Sequence, residues 1–373
     1  HCARRWHLLP PHHPDPMLTA HVSPKTAASG APETISLLSA QLASHIHGAS
    51  KEIERINLQA RILSLNAQIE AAQAGAAGAA FGVVAQEMAV LSKQTEEVSV
   101  RLRDDSQPIV AQIEDISRQL ATQVRGTRLA DLALMNIDLI DRNLYERSCD
   151  CRWWATDAAL VAALETPSPA AIRHASERMG VILKAYTVYF DIVLADLDGR
   201  IIAHGNPSLG HSTGTSCATA EWFVSALRTA SGDEFGFESA HRSSLAGNER
   251  VLVYSCKVCR QGTASAEPMG VLGVIFRWDA LADTIVRKTP VDDAERPKTR
   301  ACIIDANAHL LADSAGRALT GRLEIPGLAD LLRQPKGFAK VTLQGKEAYL
   351  GHAKSPGFET YATGWHSVVI QTV

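Results

Sequence analysis

The chain has 373 residues, 46% of them apolar, with 37 basic against 40 acidic side chains and a formal net charge of −3 at pH 7. That length suits two or three domains, and the near-even charge balance excludes a general nucleic-acid binder, which would carry a basic face. Seven cysteines, odd in number and scattered, exclude a disulfide scaffold.

The first 32 residues open without methionine, are rich in His and Pro, and lack the apolar core of a signal peptide. Residues 1–32 therefore read as a disordered extension, with Met17 as the first candidate start. His1, Cys2, His7, His12 and His13 receive no metal assignment, because flexible composition accounts for them. No run approaches the ~18–20 apolar residues that cross a bilayer. Membrane insertion is accordingly not expected, and the cytoplasm is the expected location.

Residues 33–106 read as a helical hairpin. Ile46, Ala49, Ile53, Ile56, Ala60, Leu63 and Ala67 alternate spacings of three and four, which marks a coiled-coil seam. Val84, Met88, Leu91, Thr95, Val98 and Leu102 repeat the seam on the return arm. Gly75 and Gly78 permit a reversal, placed at 75–80, and the flanking alanines keep the crossing narrow. A pair of helices leaves much of such a seam exposed, so a homodimer forming a four-helix bundle is expected.

Leu63, Leu65, Asn66, Ala67, Glu70, Ala71, Ala72, Ala74, Gly75, Gly78, Phe81, Val83, Val84, Ala85, Glu87 and Leu91 form a run that resembles the signalling tip of the methyl-accepting chemotaxis receptors. The resemblance implies partners: a histidine kinase and its coupling adaptor, with Ile62, Glu70 and Val83 at contact-type positions. Three positions depart from the family pattern. Gln73 and Ala79 stand where Arg is common and Ala76 where Glu is common, which weakens the polar network between receptor dimers.

Residues 107–185 read as a helical connector. Asp104, Asp105 and Ser106 before Pro108 signal a new helix or a kink, and Gly126 precedes a third segment at about 129–147. Thr166-Pro167-Ser168-Pro169 marks a break before a helix at about 170–185.

From about Tyr186 the period changes to that of strands. Runs at 189–195 and 200–203 flank an Asp198-Gly199 turn, a helix follows at 220–227, and strands are predicted at 234–239, 250–258 and 271–278. Residues 300–373 repeat a shorter version, with strands at 301–304, 309–312, 337–343, 347–352 and 366–371. The predicted fold class is thus α+β and multidomain: a coiled-coil hairpin, a connector, then PAS-like α/β modules at 186–290 and 300–373. Cys256 and Cys259 fall on a strand, where positions three apart face opposite sides, so they read as free thiols and not as zinc ligands.

The segments 193–205, 221–223, 270–279 and 361–370 resemble the double Cache sensor domain, the likeness covering about 127–373. It implies a small-molecule ligand. In relatives that bind amino acids an Arg two positions before the Trp grips the ligand carboxylate, whereas this chain has Ala220 before Trp222. The candidate ligand-binding residues are Tyr189, Trp222, Phe237, Tyr254, Trp278 and Asp279, with Arg152 on the preceding helix. The first module is expected to hold the ligand, since its insertion at 204–233 is long enough for a lid.

No nucleophile elbow, phosphate loop, dinucleotide fingerprint or zinc-protease motif is present, so no enzyme, catalytic residue, metal or cofactor is predicted. Asp305, Asp313, His352 and His366 read as surface groups. The expected function is a soluble chemoreceptor-like transducer. The alternative is a structural protein whose hairpin only dimerises, uncoupled from a chemotaxis kinase.

Overall fold

The computed structural model describes residues 31–373, so the extension read as disordered lies almost wholly outside the described residues. The chain divides into two compact units, one ending at Ala121 and one spanning Thr122–Val373.

In the first unit α1 (Ala31–Gln73) and α2 (Ala79–Trp154) are joined by a 3-10 turn, Gly75–Gly78. Small residues make the contact between the arms. Ser50, Asn57, Ser64, Ala71, Gly78, Ala85, Ser92 and Ser99, every seventh residue, are the buried positions of this stretch. A strict seven-residue repeat keeps one stripe facing the partner helix. Two serines clasp the opposite arm directly: Ser64 Oγ donates to Ala85 O at 2.6 Å and Ser92 Oγ to Asn57 O at 3.1 Å. At Gly78 a Cβ would lie 2.2 Å from Ala71 O, so only glycine permits this approach.

Most large side chains of the predicted seam remain outside, while Ile46, Ile53 and Met88 are half-buried. Ile56, Leu63, Val84, Leu91, Val98 and Leu102 are 47–64% exposed. A hairpin closed through small residues cannot cover its own Ile and Leu row.

No new helix starts at Pro108 or after Gly126. α2 runs through both Pro108 and Gly126. Proline removes one intrahelical hydrogen bond, which a helix of 76 residues absorbs. Gly126 has a packing role instead: the Phe338 ring sits where its Cβ would be, at 2.1 Å. The alanine-rich stretch also qualifies the hydropathy reading. Gly75–Trp154 includes a window that passes as a membrane span by length and composition alone, which is weak evidence of one.

The second unit holds two five-stranded antiparallel sheets. The first contains β1 (Tyr189–Asp196), β2 (Ile201–His204), β3 (Gly236–Ser243), β4 (Glu249–Cys259) and β5 (Pro268–Arg277), in the order β2-β1-β5-β4-β3. The second contains β6 (Thr299–Ile304), β7 (Leu310–Asp313), β8 (Lys336–Leu343), β9 (Lys346–Lys354) and β10 (His366–Thr372), in the equivalent order β7-β6-β10-β9-β8. The tandem PAS-like architecture is therefore as the sequence indicates. Trp278 is a local difference: it leaves the strand and opens a helix, α6 (Trp278–Arg287).

Leu129, Ala133, Ile137, Ile140 and Leu144 of α2, at most 1% exposed, form one core with the facing side chains of both sheets. Their spacing of three and four residues is the apolar face of a helix. Helices α3 (Ala158–Glu165) and α4 (Pro169–Ala185) pack on each other, capped by Asp157 and Ser168. On the opposite sheet faces lie separate cores, covered by α5 (Glu221–Arg228) in the first module and by α7 (Leu328–Leu331) in the second.

Gly78→Ala should lower the stability of the hairpin by about 1–3 kcal/mol, because the added methyl has no room against a backbone carbonyl. Thermal melting of the helical circular dichroism signal checks this. An unshifted melt would mean that the crossing is looser than described.

Candidate functional site

Most of the aromatic candidates meet, but in a core between the modules. Tyr254 and Trp278 are fully buried, and Tyr189 is nearly so. Tyr254 Oη lies 2.6 Å from Tyr361 Oη, and the Trp278 indole N–H donates to Leu311 O at 2.7 Å. Phe237 packs on Tyr254 and Trp365, and Trp278 meets Trp365 edge-on at 5.4 Å. These groups join one sheet to the other, and their polar atoms are already taken. Burial pushes both the Tyr189 and Tyr254 phenols above their ordinary pKa, so they stay neutral donors.

Trp222 is separate, on the opposite face of the first sheet. Its ring lies where a Cβ of Gly273 would come within 2.9 Å, so it fills the space beneath α5. The lid expected over a first-module ligand is occupied by the protein's own indole. Asp279 forms an ion pair with Arg250 at 2.6 Å. Arg152 donates to Ser148 O in its own helix and to Asp233 O ahead of β3, which makes it a clamp on that loop.

The first module also contains a buried Asp191–His204–Ser212 chain. His204 Nδ1 is 2.7 Å from Asp191 Oδ2, and its Nε2 is 3.0 Å from Ser212 Oγ. Ser212 Oγ in turn donates to Leu209 O at 2.8 Å, and Asp191 Oδ1 accepts the Ile192 and Asn206 amides. The network pins the segment after β2 to β1.

Cys256 and Cys259 are both buried on β4, and their thiols donate to Gly232 O and Ala264 O. Burial pushes the Cys256 thiol up to about 12, so it stays protonated. Among the described residues no group of three or more His, Cys, Asp or Glu is placed to hold a metal ion.

The second module departs from the sequence reading. Asp313 and His352 are fully buried, and His366 is 5% exposed, so three of the four groups read as surface residues are interior. Asp313 accepts a two-pronged hydrogen bond from Arg300, at 2.9 and 2.8 Å, and its carboxyl is held below the usual range by that bonding against the opposing effect of burial. His352 and His366 stack, with Nε2 and Nδ1 2.7 Å apart. Each histidine borders buried residues of its own strand, Leu350 to Ala353 on β9 and Ser367 to Ile370 on β10. Asp141 of α2 is fully buried and gathers the loop between β9 and β10. It accepts from Ser355 Oγ at 2.6 Å, Gly357 N at 2.9 Å and Thr363 Oγ1 at 2.8 Å.

At the second module's edge is a cleft of about 840 Å³, walled by Ala308, Leu323, Ile325 and Leu332 and reached by Arg322, Lys354 and His366. α7 has four residues against eight in α5, so the shorter cover leaves this space open. On the hairpin, Ile62, Glu70 and Val83 are all exposed.

Residues 23–138 match the family model of the methyl-accepting chemotaxis protein signalling domain. Similar proteins include the transducer protein Htr18 of Halobacterium salinarum, 38% identical over 81 residues, or 21% of this chain and 9% of that protein. The methyl-accepting chemotaxis protein McpS of Pseudomonas putida is 34% identical over 76 residues, 20% of this chain and 11% of its own. The chain thus matches about a tenth of the length of these relatives. In fold, the chain is similar to the sensory domain of the Campylobacter jejuni chemoreceptor Tlp3, solved with isoleucine bound, with a TM-score of 0.52 and 15% identity over 67% of this chain and 94% of that one. The sensor domain of the Vibrio cholerae histidine kinase DctB gives the same TM-score and identity over 67% of this chain and 98% of its own.

Burial, with the His366 ring beside it, lowers the His352 pKa from 6.5 to about 4. The unfolded chain therefore takes up the proton first. The stability this histidine contributes is complete above about pH 6.5 and is lost as the pH falls toward 4. His352→Gln should flatten that stretch of the melting-temperature profile. An identical slope in the variant would assign the acid sensitivity to the carboxylates instead.

Proposed function

We propose that this chain, in which a methyl-accepting chemotaxis signalling hairpin precedes a double Cache-type sensor fold, is a chemoreceptor-like signal transducer. The Cache region senses a small molecule, and the hairpin controls a histidine kinase through direct contact with the kinase and its coupling adaptor. The protein acts in the cytoplasm and not as an enzyme.

The observation that carries this reading is the exposed Ile and Leu row. With Ile56, Leu63, Val84, Leu91 and Leu102 uncovered, each arm of the hairpin carries a row of exposed apolar side chains. Burying such a row is worth about 25 cal/mol per Å², and a second hairpin offers a matching one. A parallel pair of hairpins then forms a four-helix bundle. Ile62, Glu70 and Val83 would remain near the turn, where the kinase and adaptor dock. Ala220, in place of an Arg, favours a ligand other than a free amino acid, and Tyr254 and Trp278 support the sensor as core side chains.

Light scattering of the full chain at micromolar concentration should give a dimer, and a monomer would remove the bundle. Capture of the host's kinase and adaptor by the full chain should be abolished by Glu70→Lys with the dimer intact. Undiminished capture would take the tip out of the mechanism. A dimer that captures neither protein would favour the structural alternative, in which the departures at Gln73, Ala76 and Ala79 have ended coupling.

A further inference from the structure

The cleft at the edge of the second module has the chemistry of a binding site. Its walls include Ala308, Leu323, Ile325, Leu328 and Leu332, an apolar lining large enough for a small metabolite. Among its charged side chains, Arg322, Arg333 and Lys354 stand against Glu324 alone. Arg333 pairs with Asp330 at 3.4 Å, and Arg322 Nε donates to Asn307 O at 2.7 Å, which orients its guanidinium. The Lys354 ammonium makes no ion pair among those described.

The floor supplies a directed donor. His352 and His366 share one hydrogen bond between Nε2 and Nδ1. His352 Nδ1 is buried without a partner among the described residues. A buried bare nitrogen costs less than a buried orphan N–H, so the His352 proton sits on Nε2 and is donated to His366 Nδ1. A neutral imidazole carries a single N–H, which places the His366 proton on Nε2. That edge has no hydrogen-bond partner among the described residues, on a side chain that lines the cleft. Burial lowers the pKa of both rings, which keeps the pair neutral near pH 7.

We propose that this cleft binds a small molecule bearing a carboxylate or phosphate on an apolar body, with the anion held by Lys354 and Arg322 and directed by the His366 N–H. The assignment rests on the sensor reading and deepens it, giving the second module the ligand and the anion its recognition. In the first module Trp222 occupies the corresponding side of the sheet.

Calorimetric titration of the full chain with 4-methylpentanoate, its neutral amide and inorganic phosphate tests this. The expected result is acid bound at least roughly tenfold more tightly than amide, and anion affinity reduced by about tenfold in Lys354→Gln and in His366→Gln. Lys354 is exposed, so its variant remains informative if His366→Gln disturbs folding. Phosphate binding that is likewise weakened in Lys354→Gln would support the site and assign it to phosphoryl compounds. Equal binding of acid and amide overturns it, as does the absence of heat with either anion at millimolar concentration. Unchanged anion affinity in Lys354→Gln also overturns it. These outcomes are independent of kinase capture, so failure of the site and failure of the transducer reading are distinguishable.

Discussion

The distance between two helices sets what this hairpin can do. With Ser, Ala and Gly at all but one of the seventh positions, Asn57 being the exception, the arms approach until backbone meets backbone, as Gly78 does at Ala71. Such closeness leaves the bulky Ile and Leu side chains no room inside, and they line the outside instead. The contact also contains unsatisfied groups: Ser50 Oγ, Asn57 Nδ2 and Ser99 Oγ are buried without hydrogen-bond partners among the described residues. Each such group costs stability, so the single hairpin is a weak structure whose larger apolar reserve is still uncommitted. That combination suits an element built to associate.

The sensor region follows a different economy of space. Its two sheets share strand order and antiparallel pairing, and differ in what covers their outer faces. An eight-residue helix with a Trp closes one, and a four-residue helix leaves the other with a cleft. The inner faces are alike in being full, with Tyr254–Tyr361 and Trp278–Leu311 hydrogen bonds crossing from module to module. Open space of ligand size lies instead on the outer side of the second module, beside the shorter cover.

Strands were legible in the sequence because alternation and the Asp198-Gly199 turn act locally. β6 to β10 lie within about two residues of their predicted ends. What misled were residues whose role depends on distant neighbours. Gly126 has the signature of a helix end but serves as the seat of Phe338, more than 200 positions away in the chain. Trp278 continues an apolar run by composition and begins a helix by geometry. Aromatic residues on β1, β4 and α6 suggested a pocket, since packing and lining use the same side chains. His352 and His366 looked superficial singly, and only the pairing of β9 with β10 makes them one buried unit.

The seven-residue spacing of the small positions has a consequence for length. Ser64 and Ala85, like Asn57 and Ser92, lie opposite each other at equal steps from the turn. Removing one repeat from α1 alone would still set small residues against small ones but would shift the pairings beyond the cut by one repeat, whereas removing one from each arm would restore every remaining pairing. The hairpin therefore behaves as a ruler graduated in matched repeats. Its length can change by whole repeats while the turn and the row of side chains it offers outward keep their phase, and only paired changes keep each residue opposite its present partner.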